Sequence, residues 1–247
     1  MENDIKEPFI QYKDEEDQND EIEREIAKKI REGFVAKVFG IVLYQVFVTS
    51  LVVCLGLFNS TFQQFLLDSY FSFYFSLITF IVLIVVSIKN PEIYKKVPTN
   101  YILLTALTLS FSFLLAEVTC QYTPSSVLFA LILTMITVAT LTIYSMKVDK
   151  DLTVVGGTLF VTLALLIFAS IFSIFVFIPI VYLIIIVFCL VITSIYLIYD
   201  IQLLIGNRDN RRFQFSEDDY IIAAIFIYLD IIRIFEYILA LVGKNKE

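Results

Sequence analysis

Residues 179–206 read PIVYLIIIVFCLVITSIYLIYDIQLLIG, with a single charged side chain, Asp200. About 20 apolar residues in helical form span the hydrocarbon of a bilayer, at roughly 1.5 Å of rise per residue. The stretch is long enough to cross. A carboxylate near the bilayer centre costs roughly 2.5–3.5 kcal/mol on insertion scales, so Asp200 reads as a functional residue rather than an ornament of the helix.

The rest of the chain follows the same logic. Of its 247 residues, 59% are hydrophobic and 17% charged, with a mean hydropathy of +0.84. An ordinary globular protein has roughly 45–50% apolar and about 25% charged residues, so too little polar surface exists here to cover a soluble particle. Seven apolar stretches approach or reach spanning length: Val35–Leu57, Tyr70–Ile88, Tyr101–Cys120, Ser125–Met146, Thr153–Phe175, Pro179–Ile205 and Tyr220–Val242. Turn and charge signals separate them, weakest between the fifth and sixth, where only Pro179 interrupts. The expectation is an all-α integral membrane protein of seven spans.

Composition also excludes chemistry. With no histidine, Ser-His, Cys-His and imidazole-zinc sites are impossible. Cys54, Cys120 and Cys189 each stand alone in an apolar run, which suits core packing and not a disulfide framework. A pI near 4.7 argues against nucleic acid, which needs clustered cations. No resident cofactor is expected, and no enzyme activity.

Acid is concentrated at the start. Residues 1–25 hold eleven Asp or Glu against three Lys or Arg, which is −8 on the arm and +1 on all the rest. Such a stretch buries too little apolar area to offset its ordering entropy, so residues 1–32 are expected to be a disordered cytosolic arm ahead of a membrane domain over 33–247. The arm is no signal or transit peptide, since those begin basic. The Lys and Arg counts in successive loops run five, zero, three, zero, two, zero, three, with two more in the tail. That alternation places the amino terminus and the even-numbered loops in the cytosol; only the basic tail departs from it.

Five pieces of sequence carry a resemblance. They are Phe34-Val35-Ala36-Lys37-Val38-Phe39 with Gln45, Pro98-Thr99-Asn100-Tyr101-Ile102-Leu103-Leu104-Thr105, Lys147 with Asp151-Leu152-Thr153, Asp200-Ile201-Gln202-Leu203-Leu204-Ile205-Gly206-Asn207, and Glu217-Asp218-Asp219-Tyr220-Ile221-Ile222-Ala223-Ala224 followed by Tyr228-Leu229-Asp230-Ile231-Ile232. In this order and spacing they resemble the Bax-inhibitor/Lifeguard family, the transmembrane Bax inhibitor motif proteins, from about residue 33 onward. The resemblance implies a seven-helix bundle with the C-terminal helix central. It also implies a pH-sensitive calcium leak across an internal membrane, endoplasmic reticulum or Golgi, and modulation of cell death. Departures are Ile201 for a usual Thr, Leu152 for a usual Phe, Ala36 for a usual basic residue, Arg233 for a usual Asn, and a second span without the arginine of bacterial relatives.

Asp200 and Asp230 are the residues on which the implied function rests. Sequence spacing does not oblige them to meet; their pairing is what the resemblance implies. Two carboxyl groups in contact cannot both ionise cheaply in a low dielectric, so they would share one proton that closes the gap between the last two helices. Without the proton, two negative charges repel or recruit a cation. Calcium takes six to eight oxygens and two aspartates supply at most four, which suits a weak site on a leak path. Arg233 and Glu236 share the last span, Arg233 three residues from Asp230 and close enough to pair, and Glu117 sits near the far end of span three; these are candidate modulators. Two other functions compete. A scaffold or accessory subunit with membrane-protein partners needs no conduction. An intramembrane aspartyl protease would also use two carboxylates, but Tyr228-Leu229-Asp230 lacks the Gly-x-Gly-Asp pattern of that chemistry.

Overall fold

The computed structural model describes residues 6–148, 152, 156–159, 161–162, 164–165, 179–206 and 213–246. Among these the fold is helical, with one isolated antiparallel bridge, Tyr122 to Asn245. The helices are α1 (Lys6–Phe58), α2 (Ser60–Asp68), α3 (Phe71–Lys89), α4 (Thr99–Cys120), α5 (Pro124–Lys147), α6 (Pro179–Ile205) and α7 (Tyr220–Val242). Short 3-10 turns at Pro91–Lys95 and Glu217–Asp219 precede α4 and α7.

The expected arm differs from the structure. Residues 6–34 are helix, continuous with the first span, so no break falls at 32. Residues 21–30 are all exposed, so the helix there does not rest on burial. Its physical reason is propagation: the first span supplies the costly nucleus, and pairs such as Glu25 and Lys29 sit at the favourable i, i+4 spacing.

Among the described residues four helices, α1, α4, α5 and α6, are long and apolar enough to cross a membrane, and a fifth crossing follows if α2 and α3 are taken together across a 67° bend. The bend falls at Ser69 and Tyr70, where the Ser69 N–H donates to the Phe65 carbonyl at 3.2 Å; at the other end of α2, Asn59 caps the helix, its side chain accepting from the Phe62 N–H at 3.0 Å. The 23-residue α7 has the length, but Asp230, Arg233 and Glu236 set it apart in composition. The stretch expected to be span five lies largely outside the described residues; the described part, at 156–159, 161–162 and 164–165, is helical.

Large apolar side chains such as Leu43, Phe47, Leu128, Ile136, Leu183 and Phe188 point outward, an arrangement that water would penalise and lipid favours. α7 is the opposite case. It packs on α1, α4, α5 and α6, and buries Ile221, Ile227, Tyr228, Ile234 and Leu239 almost completely. At one end of the bundle Lys95 pairs with Asp219 at 3.7 Å, ahead of α7. At the other, the basic tail lies against the α4–α5 turn, with the Thr123 N–H donating to the Lys244 carbonyl at 2.9 Å and the Lys246 N–H to the Gln121 carbonyl at 2.8 Å. The last helix therefore runs from the Lys95 end to the Tyr122 end without turning back.

Candidate functional site

α6 and α7 pack along each other and carry one buried acid each. Asp200 is 7% exposed and Asp230 5%. Their side chains lie in hydrogen-bonding contact, while Asp230 Oδ2 has no other hydrogen-bond partner. A buried polar oxygen left this way is costly, of the order of 1–3 kcal/mol, so the position is an expensive one to maintain for packing alone. Tyr196 and Tyr199 on α6 feel the charge of Asp200, and Tyr196 also that of Asp230. The Tyr196 hydroxyl donates to the Leu159 carbonyl, which ties α6 to the described helical piece of the fifth apolar stretch.

Arg233 and Glu236 line the same helix, one and two short steps beyond Asp230, and both are half-buried. Arg233 acts electrostatically on Asp230 and on Glu236. Among the described residues it closes no ion pair with either, contrary to the pairing expected from their three-residue spacing. The Asp230 carboxyl is engaged with α6 instead. Glu117 is elsewhere: it lies one turn from the Tyr122 end of α4, where its charge is felt by Cys120. Among the described residues no group of three or more His, Cys, Asp or Glu converges, so further oxygens for a cation at Asp200 and Asp230 would be carbonyls, hydroxyls or water.

In the sequence Arg31 is only one of the cations ahead of the first span; the fold gives it a specific place. Its guanidinium is buried and donates to the carbonyls of Leu203 at 2.7 Å, Ile205 at 3.2 Å and Phe215 at 2.6 Å. It also stacks 4.7 Å over the Phe34 ring. The last carbonyls of a helix have no intrahelical donor and carry the negative end of its dipole, so a cation there caps α6 from a distant helix. Gly206 at φ +50° completes that cap in the left-handed conformation that favours glycine. Burial holds the Arg31 guanidinium below its usual range, and the charge of Glu217 opposes the shift.

The start of α7 is tied down in the same region. Lys37 sits 3.2 Å over the Tyr220 ring, and Asn100 donates from Nδ2 to the Tyr220 hydroxyl at 2.9 Å. Gln202, two residues after Asp200, accepts the Leu152 N–H at 2.9 Å. All five of these residues, Lys37, Asn100, Leu152, Gln202 and Tyr220, belong to the motifs that carry the sequence resemblance. Their roles need the folded neighbours to be visible.

A helical membrane protein is the class that this fold defines. The chain belongs to the family described as inhibitor of apoptosis-promoting Bax1, whose model matches residues 31–247. It is 29% identical to protein lifeguard 3 of Homo sapiens over 225 residues, covering 89% of this chain and 71% of that protein. It is 29% identical to protein lifeguard 3 of Mus musculus, covering 88% and 71%, and 31% identical to the BI1-like protein of Arabidopsis thaliana, covering 89% and 83%.

Proposed function

We propose that this protein is a proton-gated calcium leak of an internal membrane that restrains cell death, with Asp200 and Asp230 as its gate. The observation that carries this reading is the contact between two buried carboxyl groups on facing helices, with one oxygen otherwise unpartnered. Such a pair holds one proton far more easily than none. The shared proton bridges α6 and α7 and keeps them together. Its loss puts two anions in contact, drives the helices apart and offers oxygens to a passing cation. Calcium is cargo here, held weakly enough to leave.

The reading includes seven crossings with α7 in the middle, a cytosolic amino terminus, and residence in the endoplasmic reticulum or Golgi. It includes no catalysis and no resident cofactor. The family description, which names inhibition of an apoptosis-promoting protein, supports the cell-death part. Calcium efflux from proteoliposomes of the purified protein, measured at several pH values with and without Asp230→Asn, tests it. Efflux that is absent, or that ignores both pH and the substitution, rejects the leak.

One observation favours a second reading, a non-conducting scaffold. Arg233 acts on Asp230 electrostatically, and a fixed cation beside a cation path repels the ion it should pass. Stoichiometric membrane partners on purification, with no flux in liposomes, would mark that function.

A further inference from the structure

On the side of α7 away from Asp230 lies a second polar cluster that the leak does not use. α1 and α4 run side by side in a constant register. Gln45 donates from Nε2 to Thr108 Oγ1 at 3.1 Å, and one turn on, Thr49 Oγ1 lies 2.9 Å from Ser112 Oγ. α7 adds Tyr228, whose hydroxyl is 2.8 Å from Thr49 Oγ1. Tyr228 precedes Asp230 by two residues, roughly 200° around the helix, so the two side chains leave α7 on opposite faces. All five residues are buried, with Gln45, Thr108, Ser112 and Tyr228 at 0% exposure and Thr49 at 3%.

Counting protons shows what the cluster lacks. The Thr108 hydroxyl gives its one proton to the Leu104 carbonyl at 2.8 Å, so its oxygen must accept from the Gln45 amide. That fixes which way the amide faces and leaves Gln45 Oε1 buried with no donor. Around Thr49 there are four oxygen–oxygen contacts: Thr49 with the Gln45 carbonyl at 2.9 Å, with Ser112 and with Tyr228, and Ser112 with the Thr108 carbonyl at 2.6 Å. Three hydroxyl protons serve these four contacts. One contact is always short of a proton, and Gln45 Oε1 is short of another. The cluster is rich in acceptors and holds no formal charge. What it takes is a small ligand able to donate two hydrogen bonds.

We infer that the seam between α1, α4 and α7 binds one water molecule, held by Gln45 Oε1 and the Thr49–Ser112–Tyr228 hydroxyls. A buried water makes about three hydrogen bonds, and this seam offers a surplus of acceptors in a place otherwise sealed by apolar side chains such as Leu104 and Ala224. Leu104, at 1% exposure, and Ala224, at 0%, lie between this cluster and the Asn100–Tyr220 contact, so the seam is a closed site and not a second channel. Its consequence is mechanical. Thr49 and the water pin one face of α7 to α1 and α4, while the face bearing Asp230 meets α6.

The test is an experimental density map of the full chain in lipid nanodiscs, at a resolution that resolves ordered water. It is collected for the wild type and for Gln45→Leu, with Gln45→Met as the alternative should the leucine variant fail to fold. The expected result is a peak at about 2.7–3.2 Å from Gln45 Oε1 that disappears in the variant. An empty position beside Oε1 in the wild type overturns the inference. A second measurement separates water from a metal ion: thermal melting in sodium, potassium and N-methylglucamine chloride at equal ionic strength. Water predicts the same midpoint in all three salts. A midpoint that rises with sodium or potassium alone, and does so only while Gln45 is present, also overturns the inference, because the ligand is then a monovalent cation.

Discussion

Arg31 donates from Nη2 to the carbonyl oxygen of Leu203 at 2.7 Å, joining the first helix of the bundle to the end of the helix that bears Asp200. With the bonds to Ile205 and Phe215, one guanidinium holds the end of α6 and the chain just before α7. Arg31→Ala removes three charge-assisted bonds and leaves carbonyls without that donor. The expected loss is about 3 kcal/mol of stability, read as thermal melting in detergent. Arg31→Lys keeps the charge but not the fork, so its melting temperature should fall between the two. Equal melting of wild type and alanine variant would show that the cap is ornamental.

Gly206 offers an independent probe of the same cap. At φ +50° any other residue except Asn is strained, by roughly 1–2 kcal/mol. An added Cβ would also meet the Gln214 side chain and come within 2.9 Å of Arg31 Nη2. Gly206→Ala should destabilise by about 2 kcal/mol, and its cost should shrink in an Arg31→Ala background because the two act on one structure. Strictly additive costs would separate the glycine from the arginine.

The tail pairs with the α4–α5 turn through Asn245 and Tyr122, at the end of the bundle opposite Lys95 and Asp219. The two termini should therefore lie on opposite sides of the membrane. In sealed vesicles, protease should remove an amino-terminal tag or a carboxy-terminal one, never both. Removal of both in intact vesicles would mean that α7 does not cross.

The helical membrane character of the chain was legible because lipid makes each ionisable group expensive and each polar break conspicuous; four helices, or five with the bent pair, have the length and composition to cross among the described residues. Other features were not. Thr49, Thr108 and Ser112 look neutral in an apolar stretch, since a lone hydroxyl can bond back to its own helix; only the register of α1 against α4 turns them into a cluster. Arg31 was hidden among the lysines that set orientation, because its partners are backbone carbonyls 172 to 184 positions away. Composition points to disorder in residues 1–32, while residues 6–32 are helical, since a helix that continues from a stable span needs no nucleus of its own.

Asp200→Asn and Asp230→Asn probe the proposed gate. An amide keeps the shape of the acid and can still bridge the helices, but it cannot exchange the shared proton. Either variant should fold and melt within a few degrees of wild type while its calcium efflux becomes independent of pH. A flux-versus-pH curve that keeps its midpoint in both variants removes the pair from gating.

Arg233 decides how strong such a leak is. It stands where relatives in the resemblance commonly have Asn, and it acts on both Asp230 and Glu236 without closing an ion pair among the described residues. Its cation favours the ionised form of its neighbours and repels a divalent ion moving towards them. The two effects act on different quantities: favouring the ionised pair displaces the pH response to acidic values, while repulsion of the divalent ion keeps the leak of the open wild type weak. If the guanidinium adds about 1.4 kcal/mol to the barrier for ion entry, Arg233→Asn should raise calcium efflux roughly tenfold. The same substitution should move the pH midpoint towards neutrality, while Arg233→Lys should change neither. An asparagine variant that matches the wild type in both rate and midpoint would show that the guanidinium reaches away from the path and serves the bundle instead.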